Sequence, residues 1–293
     1  MTHTADHDAP QLTGVAQTAL WTAEMRARES ARPAPLFDDP WAALLVTAGG
    51  GPPELDADAL MSRLLPDWLA VRTRLFDDYL LSAAHGGCRQ VVILGAGLDT
   101  RALRLEWPEG TIVYEVDLPA LQEFKEKALA DTPQTPHKAS ARRVPVPADL
   151  NAPWDSALTD AGLDPGQPTA WLCEGMLFCF EEPLIEELVA TITRLSAPGS
   201  TVGADCLNAD CGQPESVRGW LAAVAANGTP WRWQLSDAER WWADRGWNAR
   251  PADLPSLPYA VERLAPYQQL RENTQGDPML LITGTRRTGT ATR

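Results

Sequence analysis

A short apolar strand that runs into two glycines is the first place where this chain could do chemistry. Val91-Val92-Ile93-Leu94 leads directly into Gly95-Ala96-Gly97. Glycines at such a point let the backbone turn tightly and let a ligand approach the main chain. In an open parallel sheet, ligands lie beyond the carboxyl ends of the strands. A dinucleotide fingerprint would carry a third glycine where Thr100 stands, with a pyrophosphate at the helix N-terminus. Here Asp99 occupies the turn. A carboxylate repels a pyrophosphate but suits a ligand with sulfonium and ammonium groups, so the residues favour S-adenosyl-L-methionine over NAD. Asp117 closes the next strand, 22 positions after Gly95. A carboxylate there can accept hydrogen bonds from both hydroxyls of a ribose. Glu115, two residues earlier on the same strand face, is the second choice.

Methyl transfer from such a cofactor is an in-line displacement in which the protein mainly positions the reactants and excludes water. A neutral acceptor needs a base, and the chain has only four histidines. His3 and His7 lie in the N-terminal tail, His85 ends a helix and His137 sits in a polar connection. This scarcity favours an acceptor that is already anionic, a carboxylate or an acidic hydroxyl; Asp205, Asp210 and Tyr259 remain alternative bases. Six of the 12 tryptophans fall between Trp220 and Trp247. They either wall a flat or apolar substrate or fill the core, with even weight on each.

The elements that must hold these residues follow from periodicity. Apolar positions predict helices over Val15–Arg32, Asp39–Val46 and Pro66–Ala84, with Trp68, Val71, Leu75, Phe76, Tyr79 and Leu80 on one stripe of the last. Strands are expected at Gln90–Leu94, Thr111–Val116, Arg142–Val146, Thr169–Cys173 and Thr201–Cys206. Helices Leu118–Ala130 and Pro183–Leu195 lie between them. Strands alternating with helices imply an α/β fold on a mostly parallel, doubly wound sheet. Later segments are expected as helices at Pro214–Ala226 and Ser236–Arg245 and a strand at Met279–Gly284. The expected organisation is a disordered tail over 1–14, an N-terminal helical cap over 15–86, and a Rossmann-like domain over 87–293 with a Trp-rich helical lid around 207–265.

Composition excludes several classes. The net charge is −14, and no Lys/Arg run offsets it, which opposes nucleic acid as a partner. No uninterrupted apolar run reaches membrane length. The five cysteines form no CxxC pair, so neither a disulfide framework nor a metal site is expected. Reduced thiols suit a cytoplasmic location. The oligomeric state is left at monomer or homodimer.

The run Leu94-Gly95-Ala96-Gly97-Leu98-Asp99-Thr100-Arg101 resembles the leucine carboxyl methyltransferase family. Four further segments match it in order: Leu36-Phe37-Asp38-Asp39-Pro40-Trp41-Ala42 within Arg26–Ala42, Tyr114-Glu115-Val116-Asp117-Leu118-Pro119 followed by Lys125, Asp149-Leu150, and Trp171-Leu172-Cys173-Glu174-Gly175-Met176-Leu177. The resemblance spans Ala16 to Ser196, with an echo at Arg245-Gly246-Trp247. It implies a class I methyltransferase fold, S-adenosyl-L-methionine as cofactor and S-adenosyl-L-homocysteine as product. The family includes bacterial O-methyltransferases, some of secondary metabolism, so the implied acceptor is a natural-product-like small molecule. The resemblance also implies that Gly95, Ala96, Gly97 and Asp99 hold the methionine part and Asp117 the ribose, with Leu118 also among the cofactor-binding residues. Asp149 and Leu150 would hold the adenine, with Glu174 and Gly175 near the amino group. An arginine on the preceding helix would meet the carboxylate, Arg72 first and Arg74 second. Relatives commonly carry Tyr five positions after the glutamate; this chain has Cys179. N- or C-methylation on the same scaffold is the next enzyme reading, and the Cys179 departure keeps open a non-methylating use of the cofactor.

Overall fold

The computed structural model describes residues 15–51, 59–131, 140–211, 215–226, 229–274 and 276–287. The expected disordered tail, with His3 and His7, and also His137, lie outside the described residues. The helices are α1 Val15–Ser30, α2 Ala42–Ala48, α3 Ala59–His85, α4 Arg101–Arg104, α5 Pro119–Ala130, α6 Asp155–Asp160, α7 Glu182–Arg194, α8 Glu215–Ala226, α9 Ala238–Asp244, α10 Pro258–Arg263 and α11 Ala265–Thr274. The strands are β1 Gln90–Leu94, β2 Ile112–Asp117, β3 Arg142–Pro147, β4 Thr169–Cys173, β5 Thr201–Asn208, β6 Gln234–Leu235, β7 Trp247–Pro251 and β8 Met279–Arg286.

These strands form one mixed sheet in the order β3-β2-β1-β4-β5-β8-β7, with β6 paired to β5. The strands β1 to β5 run parallel, and β8 is antiparallel to both β5 and β7. The expected mostly parallel sheet is therefore present. Strand β1 lies between β2 and β4 and is buried throughout, which explains its uninterrupted apolar run. At the edge, β3 carries Pro145 and Pro147. Its ladder to β2 uses the amides of Arg142 and, just past the strand, Ala148. Residues of the opposite parity point their amides away from β2, so the two prolines forfeit no ladder bond.

Helix layers cover both faces. In α7, Ile185, Leu188, Val189 and Ile192 are buried at helical spacing and share a core with Val92, Leu94 and Trp171. On the other face, Phe76 and Leu80 of α3 share a core with Val91, Ile93 and Leu172. Helix α3 starts seven residues before the expected Pro66, which lies inside it. The sequence cue misled because proline is favoured in a first turn. Within the expected lid range, α9 and β7 belong to the sheet sandwich. Trp233, Trp241, Trp242 and Trp247 meet there in successive edge-on contacts, so these tryptophans fill core. Among the described residues, no helix is long and apolar enough to cross a membrane.

Candidate functional site

The order of strands reverses at β1, with β2 on one side and β4 on the other. Such a switch point opens a crevice at the carboxyl ends of the strands. A cavity of about 430 Å³ lies there. It is lined by Arg72, Gly95, Ala96, Gly97, Asp99, Asp117, Leu118, Asp149, Leu150, Glu174 and Gly175. The structure thus brings together all the predicted site residues except Glu115.

The turn after β1 has the geometry its glycines require. Gly95 and Gly97 have φ of +59° and +49°, the left-handed region that side chains disfavour. A Cβ on Gly95 would meet Met176 at 3.3 Å, and one on Gly97 would meet Ala19 at 3.3 Å. Asp117 clamps this turn: its Oδ2 accepts from the Gly97 amide at 2.6 Å and its Oδ1 from the Leu118 amide at 2.6 Å. Burial pushes the Asp117 carboxyl above its ordinary 3.8, against the pull of those amides. Each carboxylate oxygen has two lone pairs, so two hydroxyls of a ligand can share this group with the backbone. Leu118 beside it is 42% exposed, an apolar surface available to a ligand ring.

Asp149 stands two residues past the end of β3. Its Oδ1 accepts from the Asn151 amide at 2.9 Å and from the Asn151 side chain at 2.8 Å, which holds its pKa below the ordinary value. It is therefore a turn residue as well as a lining residue.

The other end of the cavity is a buried ionic chain. Arg72 Nε lies 2.9 Å from Glu174 Oε1, and its Nη1 donates to Asp205 Oδ2 at 2.8 Å. Arg101 Nη1 lies 2.7 Å from Glu174 Oε2 and 2.5 Å from Asp99 Oδ2, while its Nε donates to Asp77. Burial acts to raise the Glu174 carboxyl, but Arg101 and Arg72 outweigh it and hold it below its ordinary value. Asp99 is held down in the same way, burial being outweighed first by Arg101. Gly175, with φ of +73°, directs its amide to Asp205 Oδ1 at 2.7 Å.

Glu115 is not among the lining residues. It is fully buried, 2.6 Å from Lys125 Nζ and 2.8 Å from Arg143 Nε. Residues two apart in a strand do share a face, yet Asp117 ends β2 and Glu115 is inside it, under α5. Arg74 also lies outside the lining and pairs with Asp78. Of the alternative bases, Asp205 is sealed behind Arg72, and Asp210 and Tyr259 do not line the cavity. His85 does not line it either; its Nδ1 lies 2.8 Å from the Leu81 carbonyl oxygen.

Sequence reasoning missed several contributors. Arg26 of α1 lines the cavity, donating to the Leu98 carbonyl at 2.6 Å and to Asp39 at 2.8 Å. Asp39 also accepts from Thr100 Oγ1 at 2.7 Å, so the N-terminal motif and the glycine turn are joined directly. Trp21, Trp68, Phe178 and Trp231 complete an aromatic part of the wall. The Arg26–Ala42 motif gave a sequence signal for Arg26 and Asp39, the Trp-rich stretch gave one for Trp231, and Trp68 was read only as part of the apolar stripe of its helix.

Comparisons with known proteins identify the family. The family model described as leucine carboxyl methyltransferase matches residues 19–193. Two relatives carry the name "Putative S-adenosyl-L-methionine-dependent methyltransferase". One, from Parafrankia sp., is 40% identical over 261 residues, covering 86% of this chain and 83% of its own. The other, from Mycobacterium marinum, is 39% identical over 300 residues, covering 92% and 91%. A crystal structure of a DUF574 family protein from Streptomyces avermitilis has a TM-score of 0.58 at 16% identity, covering 94% of this chain and all of that one; this likeness shows the fold. The fold and site therefore define a Rossmann-like, S-adenosyl-L-methionine-dependent methyltransferase. The chain belongs to the leucine carboxyl methyltransferase family.

Proposed function

We propose that this enzyme is an O-methyltransferase acting on a carboxylate or acidic hydroxyl of a small molecule. The supporting observation is the chemistry of the cavity wall. No histidine is among its described lining residues. Asp99 and Glu174 are held ionised by arginines, Asp117 is bonded to two amides, and Asp149 is tied into its turn. Burial pushes the Cys179 thiol up to about 12, so it is neutral at physiological pH. A wall without a dedicated base suits an acceptor that arrives without its proton.

In this reading the donor set fits the cofactor along its length. Asp117 accepts from the ribose hydroxyls, Leu118 and Leu150 flank the adenine, and Asp149 marks that end. Glu174 faces the amino group, and Arg72 faces the carboxylate. Gly95, Ala96, Gly97 and Asp99 hold the methionine part, with Gly175 beside it. When bound, the cofactor supplies a methyl group on a sulfonium: an O–C bond forms, the C–S bond breaks, and its electron pair leaves a neutral thioether. The chain's own task is to orient the acceptor oxygen in line and exclude water.

The test is methyl transfer from labelled S-adenosyl-L-methionine to a panel of carboxylic acids, phenols and amines. Acids or acidic phenols should be methylated, with a rate flat in pH once the acceptor is ionised. Amines methylated in preference to every acid would reject the proposal.

A further inference from the structure

We infer that the aromatic part of this cavity is an acceptor chamber built for a planar aromatic acid; this rests on the O-methyltransferase reading above. The chamber is assembled by specific contacts. After Glu174-Gly175-Met176 the chain makes a short turn, Leu177–Cys179. The Phe178 carbonyl accepts from the Arg232 amide at 2.7 Å and the Trp233 amide at 3.3 Å. These bonds hold the segment around Trp231 against the turn. The rings of Phe178 and Trp231 then lie 4.1 Å apart between centroids. Both rings line the cavity, only a few residues from Glu174, which anchors its ionic end. On α3, the Trp68 ring lies 5.3 Å from the Arg72 guanidinium carbon, so Trp68 stands at the same end.

Two features give the chamber its selectivity. The first is its facing: the half-buried Trp231 ring, backed by Phe178, offers aromatic surface, which rewards a stacked or edge-on ring beyond simple apolar burial. The second is space beside that ring. Cys179, a short side chain, lines the same cavity and leaves room for the ring. The ligand class that fulfils both conditions is a planar ring, carrying the carboxylate or phenolate of the O-methyltransferase reading.

Calorimetry on the full chain saturated with S-adenosyl-L-homocysteine tests this without turnover. The probes are cinnamate and nonanoate, acids with equal numbers of heavy atoms. Cinnamate should bind about three- to tenfold more tightly, the range expected from aromatic contacts. Trp231→Ala should erase that preference and Trp231→Phe should restore most of it, with affinity for the homocysteine product changed less than about twofold. Equal binding of the two acids by the native protein, or a preference that survives Trp231→Ala, would overturn the chamber. Transfer of label is scored separately: aliphatic acids esterified as readily as aromatic ones would count against the chamber only. Tight cinnamate binding with methylation of amines alone would overturn the O-methyl reading and keep the aromatic chamber.

Discussion

Asp117→Asn separates a cofactor contact from a structural one. The carboxylate accepts from the Gly97 and Leu118 amides at 2.6 Å each. If it also accepts from the ribose, the variant replaces one ionised acceptor oxygen with an amide NH2, which can only donate. One hydroxyl loses its charged partner, and a backbone amide faces a donor. Hydrogen bonds to charged groups contribute about 1.5–3 kcal/mol each. A net loss of about 2–3 kcal/mol is expected for S-adenosyl-L-homocysteine, or roughly 30- to 150-fold in Kd. Stability should behave differently. Burial raises the folded pKa of Asp117 above its unfolded value. Its contribution is therefore fully present below the unfolded value and is lost as pH rises through the folded one. At neutral pH, relief of the buried charge offsets the cost of the mismatched amide in the empty protein, so the unfolding temperature of the Asn variant should change little. Titration calorimetry of the product, with thermal unfolding of both proteins at pH 7.5, reads the two effects. An unchanged Kd would refute the ribose contact. A weakened Kd with an equally weakened fold would assign Asp117 to the turn alone. For the native protein, affinity should begin to fall on acidification at a pH above 3.8, since protonation starts earlier at a raised carboxyl.

Glu115→Gln should lower stability by about 3–5 kcal/mol, because it leaves Lys125 buried without its main partner, and should leave product affinity unchanged in the folded protein. A large loss of affinity with an unaltered denaturation midpoint would return Glu115 to the ribose. Arg101→Met removes the partner of Asp77, Asp99 and Glu174. Asp99 and Glu174 have folded values below their unfolded ones, so the stability they contribute is present above the unfolded values and lost as pH falls through the folded ones. The variant should therefore shift acid unfolding to higher pH, followed by circular dichroism; an unmoved acid midpoint would contradict the pairing. Asp205→Asn should weaken product binding about tenfold by loosening Arg72 while keeping the shape of the pH–rate profile. Loss of an acidic limb together with a large fall in kcat would instead make Asp205 a base.

Legibility from sequence followed the range of the physics. Strand β1 was readable because a central strand buried on both faces is apolar almost throughout, here from Val91 to Leu94 after the hydrogen-bonded Gln90, and its boundaries match those expected. Strand β7 was not read, although Trp247 and Ala249 are buried and Asn248 and Arg250 exposed. That alternation is only five residues long and sits among tryptophans that also suited a lid. The site divides in the same way. Gly95, Gly97 and Asp117 declare themselves through local backbone demands. The ionic chain does not, because Arg72 and Asp205 are 133 positions apart and nothing local marks either as the other's partner. Trp231 and Trp242 show the limit most sharply. Both come from one Trp-rich stretch, yet one lines the cavity and the other is sealed in the core. Only the fold decides between them.

Thr100 changes meaning between the two levels. In the sequence it was negative information, a residue where a dinucleotide site would place glycine. In the structure its hydroxyl donates to Asp39, and Asp39 accepts in turn from Arg26. Arg26 reaches back to the Leu98 carbonyl in the glycine turn, and the Ala42 amide is also bonded to Asp39. The third glycine of a dinucleotide loop serves close packing of helix on strand; here that position instead fastens α1 and the start of α2 over the turn. Burial opposes ionisation of Asp39, yet Arg26 and Arg104 hold its pKa below the ordinary value. The fastening therefore stays charged at working pH. Exchanging Thr100 for glycine would remove the hydroxyl without creating a dinucleotide site, because Asp99 would still stand where the pyrophosphate must lie.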